Sequence, residues 1–353
     1  MRYPETKNLQ EILDRVEASF EEARPFALYR KPNQNEIFGV FQADAKLHYS
    51  MDFTEKGFVF APFDAKSDVV LIHPDELYKG EFNATAPRSE QTISLDESGK
   101  NEHIDLIKKG IKEIEKGRLQ KVVLSRKIQV PNAKSPIKIF KTLLNTYPNA
   151  FGYLFHHPKV GTWCGATPET LVKVTNKKLV TMSLAATLPY IENEKPNWGN
   201  KEIEEQQMVS EYIGDKLAHT MERLEIDEAE SVRAGNLWHL RSEVRGDMLP
   251  DLKIEQVIRA LHPTPAVCGI PTTEAHEFIQ ANENYSRTFY TGFLGELNLQ
   301  AQGELSLFVN LRCMELDDGT ASIFVGGGIT EASDPESEWI ETQNKSRTML
   351  GIL

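Results

Sequence analysis

Four glutamates fall into two E-x-x-E pairs, Glu202 with Glu205 and Glu338 with Glu341, and Lys345 follows Glu341 by four residues. Side chains three and four apart share one face of a helix. Taken alone, such a pattern is a wet helix surface, and a Glu-to-Lys pair at this spacing contributes about 0.2–0.5 kcal/mol. Glu205, however, lies on the same face as Val209 and Tyr212, a stripe expected to be buried. A carboxylate at the head of a buried stripe needs a partner, because its uncompensated burial is expensive. Two such pairs facing each other would make an all-oxygen site of the kind that suits Mg²⁺.

Other residues could serve an anion beside such a metal. Gly326-Gly327-Gly328 follows a strand-like run, and reads either as a flexible turn or as backbone brought close to a carboxylate. Arg312 interrupts an apolar segment, V-N-L-R-C, as either a snorkelling edge residue or a fork for a carboxylate. Lys121 begins the strand-like K-V-V-L-S-R, and Glu169 sits in the turn G-A-T-P-E-T-L. Both positions are ordinarily solvated.

The elements that must carry these residues alternate irregularly. An amphipathic helix is expected over 8–24 and another through Ile104, Ile107, Ile111 and Ile114, stopping at Gly117. Strands are expected at 37–41, 58–63, 69–73, 121–130, 152–156, 162–166 and 179–184. A long helix should cover 200–224, with shorter ones through 253–261 and 273–282. The chain should end as strand, turn, strand and helix. The first of these strands is E-L-S-L-F-V-N-L-R-C-M, and the helix starts near 335 behind Ser333, Asp334 and Pro335. The fold class expected is α+β. The polar stretch 82–101 is the best candidate for a boundary, giving a divergent N-terminal part (1–95) and a catalytic region (96–353) of one compact domain.

The net charge of −12 argues against a nucleic-acid binder and requires locally placed cations for any anionic substrate. No run of 18 apolar residues and no apolar leader are present, so no membrane span or secretion signal is expected. Three dispersed cysteines suit a reducing cytoplasm and no thiolate metal site.

Read in order, K-V-V-L-S-R, G-A-T-P-E-T-L, L-W-H-L-R-S-E-V-R-G, L-H-P-T-P-A-V-C-G, R-T-F-Y-T-G-F-L-G, L-R-C, G-G-G-I and E-W-I-E-T-Q-N-K resemble the chorismate-utilising enzymes over about residues 100–353. That resemblance implies chorismate as substrate and Mg²⁺ held by Glu205 and Glu341, with Glu202 and Glu338 close by or acting through water. It implies substrate carboxylates held by Arg312, Lys345 and the Gly326–Gly328 backbone, with Ala186, Thr187, His239 and Ala266 lining the pocket. Lys121 would be the general base and Glu169 the general acid. Ammonia-using members carry glutamine in place of Lys121, so water is the expected nucleophile and no glutamine amidotransferase partner is expected. Members that add through a lysine carry it where Ala185 stands. Members that go on to eliminate pyruvate tend to carry threonine where Ala266 stands, so the expected product is isochorismate. Tyr290, a hydroxyl shared with some lyase members, keeps salicylate formation as the alternative, beside a non-catalytic relative. The chain departs from its relatives at Gln206 (usually histidine), Ala186 (usually glycine) and Cys268 (more often serine or glycine). Relatives of this branch are often monomeric. A free lysine near ~10.4 and a free glutamate near ~4.3 would both need a partly desolvated cleft to work at neutral pH.

Overall fold

Period-two and period-3.6 apolar patterns become strands and helices close to the expected places in the computed structural model, which describes residues 4–84, 97–235 and 237–353. The candidate boundary at 82–101 lies mostly outside the described residues. The first helix is Leu9–Glu21, with Asn8 accepting from the Glu11 amide in a capping box. The isoleucine stripe forms Lys100–Glu115 and stops before Gly117, whose φ of 74° suits a residue without Cβ. A helix at Pro136–Thr146 was not expected, although Ser135 caps it and Pro136 occupies its first turn, both legible start signals.

Two expectations are corrected. The helix predicted over 200–224 is Asn200–Leu217, and Met221–Ile226 instead pairs as a strand with Leu237–Met248. Cross-strand pairing outweighs helix periodicity there. The stretch E-L-S-L-F-V-N-L-R-C-M is not one strand. It breaks at Asn310–Arg312 into Leu305–Val309 and Cys313–Asp317, and Arg312 takes φ 48° at the break.

Among the described residues the strands form two ten-stranded sheets, almost wholly antiparallel. Between them lies an aromatic layer including Tyr29, Phe58, Phe60, Phe151, Trp163 and Phe308, with rings of Phe151 and Phe308 stacked at 4.1 Å. Helices cover the outer faces: Leu9–Glu21 and Pro136–Thr146 pack on one sheet, Asn200–Leu217 and Ile254–Leu261 on the other. The N-terminal strands complete both sheets, Phe26–Arg30 beside Phe151–His157 and Gly57–Ala61 beside Phe293–Leu297. The molecule is therefore a single α+β domain.

Two of the chain's crossings between the sheets lie side by side. Gly161–Thr167 belongs to the first sheet and Thr170–Thr175 to the second, with Pro168 and Glu169 between them. Leu305–Val309 belongs to the second and Cys313–Asp317 to the first. The crossings are tied together: Thr167 Oγ1 donates to Val309 O (2.6 Å), the Val309 amide donates to Glu169 O (3.0 Å) and the Ala166 amide to Arg312 O (3.0 Å). Glu169 and Arg312 are thus fixed side by side by topology.

Candidate active site

A cleft of about 700 Å³ opens at these crossings. Glu169, Ala186, Thr187, Glu205, His239, Ala266, Arg312, Gly326, Gly327, Gly328, Glu341 and Lys345 line it, together with Tyr290. Most residues singled out in the sequence therefore meet in one place. Lys121, Glu202 and Glu338 are not part of its wall.

Lys121 is not solvated. It is fully buried, with Nζ 2.8 Å from Glu205 Oε1 in an ion pair whose angles are too oblique for a good hydrogen bond. Glu205 does line the cleft, so Lys121 approaches it from behind that carboxylate. Burial pushes the Glu205 pKa up, but Lys121, Lys345 and Lys201 together outweigh it and hold the carboxyl below its ordinary range.

Glu169 is also buried rather than exposed. Burial drives its carboxyl up to about 8, against the opposing pull of Lys121 and Lys345. It holds a proton at neutral pH, the condition for a carboxylic acid to donate one.

The glycine run is not a turn. Gly326–Gly328 lies within the strand Thr320–Ile329, paired with Lys121–Pro131 as Gly326 to Ser125 and Gly328 to Val123. The neighbour on its other side stops at the Met314–Ile323 pair, leaving the glycine edge open toward the cleft. Lys345 Nζ donates to Gly326 O (2.9 Å) on that edge, and peptide groups two apart point the same way, so the Gly328 amide shares it. The absence of side chains is what allows the carboxylates in. A Cβ on Gly328 would lie 2.6 Å from Glu205 Oε1 and 2.9 Å from Lys121 Cε; one on Gly327 would lie 3.2 Å from Glu338 Oε2.

The four-glutamate clamp is corrected in detail. Glu202 turns back to accept from the Gly199 amide (3.0 Å), capping its own helix outside the cleft. Glu338 is buried, with Oε1 between Lys201 Nζ (2.5 Å) and Ser333 Oγ (2.7 Å). Glu341 pairs with Lys345 (2.5 Å). Ser333 thus holds Glu338, and Asp334 is the helix cap, accepting from the Ser337 amide (2.9 Å). Among the described residues, no three acidic, histidine or cysteine side chains converge closely enough to chelate a metal as they stand. The donor chemistry nevertheless fits a hard cation. Glu338 Oε2 is buried without a partner, it and Glu341 Oε1 flank Gly327, and Glu205 reaches the same strand at Gly328. Lys201 is the member of this cluster that sequence reasoning missed; it lies one turn before Glu205 on the same helix face.

The opposite wall is built by a bulge. Register between Lys178–Pro189 and Leu237–Met248 shifts between Ala185 and Leu188, which turns Ala186 and Thr187 into the cleft. Ala186 has φ 59°, a left-handed conformation that favours glycine and costs an alanine roughly 1 kcal/mol. His239 Nδ1 lies 2.9 Å from Ala186 O, so that nitrogen carries the proton, and Nε2 is left to accept from Arg312 (3.4 Å). Burial, with Arg312 and Lys345 beyond it, lowers His239 to about 3, and the ring is neutral. Arg312 also donates to Thr348 Oγ1 (3.3 Å). Gln206 lies behind Glu205, bonded to Ser183 Oγ (2.8 Å), and packs the helix to the sheet.

These features, a protonated acid and a lysine–glutamate pair beside an open glycine edge, can be set beside known proteins. The family model described as "Chorismate binding enzyme" matches residues 69–353. The chain belongs to the chorismate-binding enzyme family. Its curated relatives include the Bacillus subtilis isochorismate synthase, 30% identical over 82% of this chain and 78% of that protein. A vibriobactin-specific isochorismate synthase of Vibrio cholerae is 28% identical over 83% of this chain and 78% of the other. Among solved structures, the Bacillus anthracis protein assigned as a 2,3-dihydroxybenzoate-specific isochorismate synthase superposes with a TM-score of 0.80 at 26% identity, covering 95% of this chain and 98% of that one. The two-sheet architecture is thus the fold of chorismate-binding enzymes.

Proposed function

We propose that this protein is an isochorismate synthase, converting chorismate to isochorismate by adding water at C2 and releasing the C4 hydroxyl as water. The observation that carries the reading is a Glu169 that keeps its proton in the cleft wall, with the buried Lys121 behind the Glu205 carboxylate, in a chain similar to proteins named isochorismate synthases. Lys121 serves as the general base, taking a proton from water as the water oxygen bonds to C2. The ring double bonds shift, the C4–O bond breaks, and Glu169 gives its proton to the departing hydroxyl. In the reverse direction the two residues exchange roles.

Arg312 offers a planar fork to a substrate carboxylate, and Lys345 with the Gly326 and Gly328 peptide groups offers a second set of contacts. Thr187, Ala186, His239 and Ala266 shape the pocket around the ring. Mg²⁺ fits Glu205 and Glu341, with Glu338 close by, and would supply a counter-charge for the ring carboxylate; Glu202 has no part in this set. Water as nucleophile requires no amidotransferase partner.

Tyr290 on the cleft wall supports salicylate formation as a second reading, while Ala266 provides no hydroxyl to assist pyruvate loss. Incubation of the purified protein with chorismate and Mg²⁺, with products identified by chromatography and mass, separates them. Isochorismate alone supports the proposal, and salicylate with pyruvate selects the second reading. Product that forms only when ammonia is added removes water as nucleophile, and no product leaves a binding protein.

A further inference from the structure

Two hollows outside the cleft share walls with one another, and one of them reaches the cleft. The inner hollow meets the cleft at Pro168, Leu184 and Arg312, and it meets the outer one at Tyr147, Arg233 and Thr348. The two lie end to end as a line, the trough, between Arg347 and Tyr190 at the outer side and Arg312 at the cleft. In a chain of net charge −12 its lining is exceptional. The inner hollow carries Arg233, Arg241 and Arg312 with no acidic side chain among the described residues, and the outer carries Arg233 and Arg347 against Glu192 alone.

The arginines differ in how far they are occupied. Arg241 is paired with Glu230. Arg233 spends Nε on Gly235 O (2.9 Å) and lies 3.5 Å from the centre of the Tyr190 ring, which holds the guanidinium plane at the trough wall without neutralising it. Arg347 is exposed and makes no ion pair among the described residues. Arg312, at the inner end, is half-buried. Cations that are not neutralised, arranged in sequence toward the half-buried Arg312, create a potential that draws an anion inward.

We propose that this trough is the access route for the dianionic substrate, with Arg347 and Arg233 as steering residues that pass it to Arg312. The inference rests on the proposed function only for the identity of the dianion. It is tested by stopped-flow fluorescence of chorismate binding at several salt concentrations, beside steady-state turnover, for the wild type, the double variant Arg233→Gln/Arg347→Gln and the control Lys108→Gln. Lys108 is an exposed lysine that lines neither hollow.

The double variant should bind about tenfold more slowly at low salt, with a flatter salt dependence and kcat within twofold of wild type, while the control is unchanged. An unchanged association rate and salt slope would overturn the route, as would a parallel fall in kcat, which would place these arginines in the chemistry instead. Wild-type protein that binds chorismate with this arginine dependence but forms no isochorismate leaves the route standing and removes the synthase reading. Absence of chorismate binding by the wild type overturns both.

Discussion

Glu169 is the residue whose environment makes the sharpest claim. A carboxyl raised to about 8 by burial is an acid at neutral pH, so wild-type kcat/KM in the forward direction should fall with unit slope above about pH 8. Glu169→Gln should lower turnover by about 10²- to 10⁴-fold and abolish that alkaline limb, as a pH–rate profile would show. The same raised value means that the folded state binds the proton more tightly than the unfolded chain. Its contribution to stability is therefore full below the ordinary value of 4.5 and lost progressively as pH rises to about 8. Urea titrations of the Gln variant should lack that decline. For the base, Lys121→Met keeps the stem's volume and should lose about 10²- to 10⁴-fold in turnover with native near-ultraviolet circular dichroism retained. Neither residue's burial could be read from local sequence. A strand-end lysine and a turn glutamate look solvated, and what buries them, Glu205 for one and the two sheet crossings for the other, arrives from tens to hundreds of residues away.

At the scale of elements, the glycine strand and two helices hold the site together. Gly328→Ala would place a methyl where Glu205 Oε1 and Lys121 Cε now sit, at 2.6 and 2.9 Å. The φ of Gly328 is not in the left-handed region, so the damage should fall on the ion pair and not on the backbone. Turnover should drop at least tenfold while the urea midpoint changes little. The helices Asn200–Leu217 and Pro335–Leu350 are joined by the ion pair of Lys201 and Glu338. Lys201→Met would leave a buried carboxylate with Ser333 as its remaining partner, at a cost of roughly 1–3 kcal/mol, and should lower the melting temperature of the metal-free protein. Much of this level was legible. Capping residues and apolar periodicity located the helices that carry Glu205 and Glu341, and E-x-x-E spacing marked both. Spacing could not reveal that Glu202 would be spent on its own cap, or that three glycines after a strand would be strand themselves. Those outcomes depend on which neighbours pair.

At the scale of the whole molecule, the cleft sits where two of the chain's sheet crossings adjoin, an arrangement that places a neutral acid near a half-buried arginine. Antiparallel pairing across long sequence separations determines this, and no local pattern encodes it. The ordered motifs made the family recognisable from sequence, whereas the break at Asn310–Arg312 and the bulge at Ala186 emerge only from the assembled sheets. The proposed mechanism reduces to a single chemical statement: the new hydroxyl comes from solvent, and the old one leaves with the proton of Glu169. Turnover of chorismate with Mg²⁺ in ¹⁸O-enriched water, followed by mass spectrometry of the product, tests this directly. The account predicts isochorismate carrying one ¹⁸O at C2; unlabelled isochorismate would mean that the hydroxyl migrates within the substrate, and would contradict it.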